Sequence, residues 1–175
     1  GSWLDAADRV AVTDLMARFA HAIDRCDWAA YRSVFADEIE LDYSSWRAGS
    51  IGRWAADDWV ARAGQLFPGL AGTQHALSNV HIEPGEHPGT ARVVASVRAD
   101  HAIVVDGETR VFTLYGYYDD RVVHGMDGWK IAGKRLVVEW ATGDPTVMEI
   151  ARERARTAPC PVPRQPVAAD GSAGA

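Results

Sequence analysis

The sequence predicts an α+β domain in which helices come first and a curved, mostly antiparallel sheet then wraps them as a cone, apolar inside and open at one end. Three observations carry this. Apolar residues open the chain at helical spacing, with Val12, Leu15, Met16, Phe19, Ile23 and Cys26 on one stripe. Residues 91 to 105 then alternate, and Ala91, Val93, Ala95, Val97, Ala99, Ile103 and Val105 share one face. Apolar stretches of the second half are separated by hairpin turns such as Asp106-Gly107 and Asp127-Gly128. Helices followed by a run of strands make the α+β pattern.

The first helix is expected from Asp8 to about Cys26. A short second one spans Trp28 to Phe35, with Asp27 placed to accept from its first backbone N–H groups. Ile39-Glu-Leu-Asp-Tyr43 alternates as a strand and turns Tyr43 inward with Ile39 and Leu41. Gly49 to Gly52 reads as a turn, and Ala55 to Leu66 as a third helix closed by Pro68-Gly69. Strands follow at 76–83, 90–105, 110–123 and 129–140, and Gly116 marks a bulge where the sheet bends. Pro145 to Arg156 reads as a last helix. Residues 3–156 then form one domain, and 157–175, rich in Pro, Ala and Gly, a tail.

The 175 residues suffice for one core without staples. A net charge of −6, with no basic stripe, argues against a nucleic-acid surface. Cys26 and Cys160 stand far apart without CxxC spacing, which suits a reducing cytoplasm. No apolar run reaches membrane-spanning length, and no signal peptide follows the Gly1-Ser2 opening, which reads as a leftover of tag cleavage. Seven tryptophans are many for this length and point to an aromatic-lined cavity.

His101 stands on the apolar face of the 91–105 strand, where an imidazole needs a partner or a ligand. Asp24 ends the first helix, among the small flank residues Thr13, Ala17 and Ala20. His75 lies in Gly-Thr-Gln-His75-Ala-Leu-Ser-Asn79, where a loop enters a strand. His81, His87 and His124 read as solvated, and His21 as at most a neighbour of Asp24 on its helix face. A carboxylate bonded to one imidazole nitrogen fixes the tautomer and frees the other nitrogen as a base. The same Asp24, His75 and His101 could also form a facial triad for non-haem iron, but they lack the short spacing of common metal helices.

Phe19-Ala-His-Ala-Ile-Asp24-Arg-Cys-Asp27-Trp28, Phe35-Ala-Asp37, Leu41-Asp42-Tyr43-Ser44, Thr73-Gln74-His75 and Asp127-Gly128-Trp129-Lys130-Ile131 resemble the SnoaL-like group of the NTF2-like superfamily, with the scytalone dehydratases as nearest comparison. The likeness runs over residues 5–142. It implies an NTF2-like cone and no metal or organic cofactor. It also matches Asp24 and His75 to an Asp–His pair, His101 to a second histidine and Tyr43 to a water-holding tyrosine. Ile23 departs from the pattern, standing where a second such tyrosine is expected, and Gly116-Tyr-Tyr-Asp-Asp120 lacks the late serine and asparagine.

The resulting expectation is a cofactor-independent dehydratase or cyclase acting on a hydroxylated polycyclic or aromatic molecule of polyketide type. His75 is its base, Asp24 the orienter, His101 a general acid or second hydrogen-bonding group, and Tyr43 the carbonyl or water anchor. Asn79, Trp46, Tyr115, Tyr117 and Trp140 are expected at the substrate. The alternatives are an isomerase or dehydrohalogenase with the same base, or a non-catalytic subunit of a larger oxygenase. Self-association is expected because both faces of Val111 to Val123 are rich in apolar residues, and the resemblance favours a trimer over a dimer.

Overall fold

In a computed structural model that describes residues 3–157, helix α1 (Ala6–Asp24) opens with a capping box. Asp5 accepts from the Asp8 backbone N–H at 2.8 Å, and the Asp8 carboxylate accepts from the Asp5 N–H at 3.2 Å. The start of the helix therefore lies two residues before the expected Asp8. Its end comes two residues before Cys26, which takes a left-handed backbone with φ of 53°. Val12, Leu15, Met16, Phe19 and Ile23 are all buried along the predicted stripe. Each such side chain contributes roughly 1.5–3 kcal/mol on full burial.

Asp27 caps α2 (Trp28–Ser33) by accepting from the Ala30 N–H at 3.0 Å. This helix is shorter than expected, because Phe35 already opens strand β1 (Phe35–Asp42). After the turn at 43–50 comes β2 (Ile51–Ala55), where the sequence suggested only a turn and a helix start. The reason is physical: β2 is an exposed edge strand, held by main-chain pairing to β1, and shows no period-two burial. α3 covers only Ala56–Ala63, followed by a 3-10 turn at Phe67–Gly69.

The four long strands are β3 (Gly72–Pro84), β4 (Thr90–Val105), β5 (Glu108–Gly125) and β6 (Gly128–Gly143). They overlap the predicted segments and extend them. The sheet order is β2-β1-β6-β5-β4-β3, with β1 and β6 parallel and every other pair antiparallel. A register shift falls between Tyr115 and Gly116, as the glycine suggested. A Cβ at Gly116 would stand 1.8 Å from the Val137 carbonyl oxygen, so the bend needs a residue without one.

α1 packs against β3, and α4 (Thr146–Thr157) packs over the 3-10 turn. That second contact is close, since a Cβ on Gly69 would meet the Ala151 carbonyl oxygen at 1.8 Å. Of the tail assigned to 157–175, Thr157 closes α4; the rest, Cys160 included, lies outside the described residues. Among the described residues no helix is long and apolar enough to cross a membrane.

Candidate functional site

Between the helices and the inner face of the sheet lies a cavity of about 790 Å³, lined by residues from α1 to α4 and the central strands. Strand parity decides which side chains reach it. In β4 the odd residues from Ala91 to Ile103 are buried, and His101 is among them with 2 % of its surface exposed. Thr73 pairs with His101 and His75 with Ala99, so His75 on β3 shares that face.

α1 delivers Asp24 to His75. The Asp24 Oδ1 stands 2.7 Å from His75 Nδ1, and its two oxygens also accept from the His75 backbone N–H at 3.1 and 2.9 Å. One carboxylate thus fixes both ring and main chain where β3 begins. A carboxylate only accepts, so Nδ1 carries the proton and Nε2 is left as the lone-pair nitrogen. His75 lines the cavity, whereas Asp24 stands behind it.

The His101 ring centre lies 5.9 Å from that of His75, at 85°. Its Nδ1 faces the Phe112 carbonyl oxygen at 3.2 Å and must donate to it, which leaves Nε2 as an acceptor in the neutral ring. Burial first, and then the charge of His75, push the His101 pKa down to about 4. At neutral pH His101 is therefore an acceptor, and of its two expected roles the general acid is disfavoured. Phe67 covers both rings, with centroids at 5.9 and 6.2 Å.

The floor of the cavity carries phenols. Tyr43 follows β1 and lies against Trp59 at 5.0 Å, and its hydroxyl faces that of Tyr118. Tyr31 stands beside them, with its hydroxyl toward the indole of Trp59. Burial pushes all three phenols well above their ordinary range, so they stay protonated donors. The Trp59 indole N–H is buried and closes no hydrogen bond among the described residues.

Beneath the floor, Lys134 of β6 and Asp120 of β5 stand directly opposite each other, 2.5 Å apart, with both side chains wholly buried. The ammonium sits 3.9 Å from the Phe19 ring centre and 3.8 Å from that of Tyr118. Burial drives Asp120 up to about 6 and Lys134 down, so the interior pushes both toward neutrality. The second oxygen of Asp120 has no hydrogen-bond partner among the described residues.

Of the residues expected at the substrate, the structure brings Asp24, His75, His101, Tyr43 and Trp46 together around the cavity. Asn79, Tyr117 and Trp140 are corrections. Asn79 is exposed, in a left-handed conformation at a β3 irregularity, and its amide reaches Ser96. On β5 the inward residues are the even ones: His101 pairs with Phe112, Ala99 with Leu114 and Ala95 with Tyr118. Tyr117 therefore faces away from the cavity. Trp140 is 55 % exposed and stacks on Tyr115 at 3.7 Å, with Arg98 over the Tyr115 ring. Tyr115 borders the cavity next to Gly116 but holds its ring in that outer stack.

The sequence reading missed Tyr31, Tyr118, Asp120 and Lys134. Carrying the β4 parity across the Asp106-Gly107 hairpin would have turned Tyr118 and Asp120 inward. Among the described residues no three His, Cys, Asp or Glu side chains are grouped so as to hold a metal ion.

Comparison with known proteins adds family and fold. A family model described as a SnoaL-like domain matches residues 5–135. An uncharacterized Mycobacterium tuberculosis protein, Rv2910c, is 26% identical over 129 residues, 73% of this chain and 82% of its own. A Novosphingobium aromaticivorans structure provisionally named an aromatic ring hydroxylase aligns with a TM-score of 0.70 and 25% identity, covering 84% of this chain and 98% of that one. A second structure from the same organism, provisionally named a scytalone dehydratase, aligns with a TM-score of 0.64 and 25% identity, covering 79% and 88%.

Proposed function

The chain belongs to the SnoaL-like domain family, and from that premise we propose that it is a cofactor-independent lyase. It dehydrates, or dehydrates and cyclises, a hydroxylated ring-bearing molecule of polyketide type, with His75 as the base. One observation carries this reading: the 2.7 Å bond from His75 Nδ1 to Asp24, which leaves Nε2 as a base in an aromatic-walled cavity.

In this reading His75 Nε2 takes a proton from the carbon next to a carbonyl. Tyr43 and Tyr118, held protonated by burial, donate to the oxygen on which charge develops. The imidazolium of His75, stabilised by Asp24, then returns its proton to the departing hydroxyl. One C–H and one C–O bond break, a C=C bond forms, and water leaves. His101 Nε2 accepts from a substrate hydroxyl and orients it. Trp46, Trp54, Trp59 and Phe67 supply flat walls for the ring. A non-catalytic subunit would have no use for an open cavity with a buried Asp–His pair on its wall.

The test is a panel of hydroxylated ring ketones, scored for water loss or isomerisation. His75→Ala is expected to lower kcat by roughly 10² to 10⁴, the usual contribution of a general base. Asp24→Asn is expected to slow turnover strongly, since an amide can hold the wrong tautomer. Tyr43→Phe, which removes only the hydroxyl, should act more mildly. A His75→Ala enzyme as fast as wild type would reassign the base.

A further inference from the structure

The wall of the cavity has a charge opposite to that of the chain. Net charge is −6, yet among the described residues lining the cavity there are four arginines and neither an aspartate nor a glutamate. Arg156 is answered by Glu153. Arg47, Arg62 and Arg152 have no acidic partner within ion-pair reach among the described residues.

These three come from separate places in the chain. Arg47 lies in the turn after Tyr43, where its backbone N–H donates to the Tyr43 carbonyl at 2.9 Å. Arg62 is in the last turn of α3, with its guanidinium 5.4 Å from the Trp54 ring centre. Arg152 projects from α4 and is half-buried. All three line the one cavity, and there burial first, then the charges of Arg47 and Arg62, hold the Arg152 pKa below its ordinary value, with Glu149 opposing them. Three cations thus meet a single carboxylate, which leaves positive charge in excess at this end of the cavity.

The arginines also lie at a different depth from the base. Arg47 and Arg62 are exposed and Arg152 half-exposed, whereas the side chains of His75 and Asp24 are 7 % and 15 % exposed. Three guanidinium groups therefore ring the mouth, aromatic walls follow, and the histidines and phenols lie within. A guanidinium presents a planar fork that matches a carboxylate.

We propose that Arg47, Arg62 and Arg152 form an anion-binding subsite at the cavity mouth, and that the substrate is a ring-bearing acid whose carboxylate is held there while its hydroxylated end reaches His75. This deepens the lyase reading and rests on it for the second clause only, because the anion subsite exists whatever the reaction. The acid group orients the molecule, and water-solubility of a flat ring system comes from the same group.

Calorimetry with 2-naphthoate and its neutral isostere 2-naphthamide, at low salt and neutral pH, tests the subsite without turnover. Wild type is expected to bind the carboxylate about 10- to 100-fold more tightly than the amide, as charge-assisted hydrogen bonds allow. Added salt should narrow the gap. In Arg62→Gln/Arg152→Gln and Arg47→Gln/Arg152→Gln the ratio should fall toward one while naphthamide affinity holds, which shows that the cavity itself is intact. Arg121→Gln, on the outer face beside Glu40, should leave the ratio unchanged. Equal affinity for the two probes in wild type, no measurable naphthoate binding, or a preference that survives both double variants overturns the proposal. His75→Ala separates the two readings. A preserved ratio with unchanged turnover would remove the base and keep the subsite, while lost turnover without any anion preference would do the reverse.

Discussion

His101 is the residue whose chemistry is most constrained by its surroundings. Its Nδ1 proton is committed to the Phe112 carbonyl, and burial holds its pKa at about 4 against about 6.5 in an unfolded chain. Between those values the unfolded state binds more protons than the native one, so stability rises with pH across that window. Acidification from pH 6.5 to 4 is then expected to remove up to about 3 kcal/mol through this residue alone. His101→Asn keeps a donor near Nδ1 but cannot titrate. Urea unfolding at half-unit steps should show a flatter acid limb for the variant than for wild type, whatever its absolute stability. Parallel limbs would mean that His101 is not the group responsible. The inward place of His101 was legible because its neighbours at 97, 99 and 103 are apolar. Its tautomer was not, since the Phe112 carbonyl that sets it is brought by β5, across the sheet.

At the scale of elements, the pairing of β5 with β6 buries a charge pair in the middle of the core. Asp120 and Lys134 are directly opposed, and the ammonium lies between the rings of Phe19 and Tyr118, which ties α1 to the sheet. Lys134→Met leaves Asp120 buried without its partner and is expected to destabilise the fold by roughly 3–5 kcal/mol. The double variant Lys134→Met/Asp120→Leu should recover most of this, because well-packed apolar residues replace such pairs at little net cost. Chemical denaturation of the two single variants and the double variant closes the cycle, and additive losses would show that the two groups do not depend on each other. Tyr117 was expected at the substrate, yet the parity of β4 carried across the hairpin turns the even residues of β5 inward, and of the odd ones only Tyr115, beside the Gly116 bend, borders the cavity. Burial of Asp120 and Lys134 contradicts their residue types, so only the register between strands exposes it. The edge strand β2 was missed for the opposite reason: its pairing is main-chain only, and its exposed side chains leave no pattern to read.

For the whole molecule, the cone has two faces of different use, and the outer one carries a local apolar feature. Trp140 is 55 % exposed and lies flat on Tyr115, whose ring also carries the guanidinium of Arg98, while Val104 and Val111 are exposed as well. Farther along the sheet the outer face is charged, with Arg92 forking onto Asp119 at 2.7 and 2.8 Å and Arg121 near Glu40. On the outer face the apolar character read over the whole of Val111 to Val123 is therefore confined to its first half. An exposed aromatic stack of this kind suits a self-complementary contact, because Trp, Tyr and Arg are enriched at the centre of such interfaces. A second copy of this chain is the expected occupant, through Trp140. Light scattering over a hundredfold concentration range should give a multiple of the 19.0 kDa chain mass. Trp140→Glu should return it to one copy without loss of helix or sheet signal, since the side chain is 55 % exposed and stacks on Tyr115. The cavity opens on the other side of the sheet, so the variant should keep its affinity for a naphthoate probe. A concentration-independent monomer mass for wild type would leave the Trp140 stack as a feature of the single chain, and a multimer unchanged by Trp140→Glu would move the interface elsewhere.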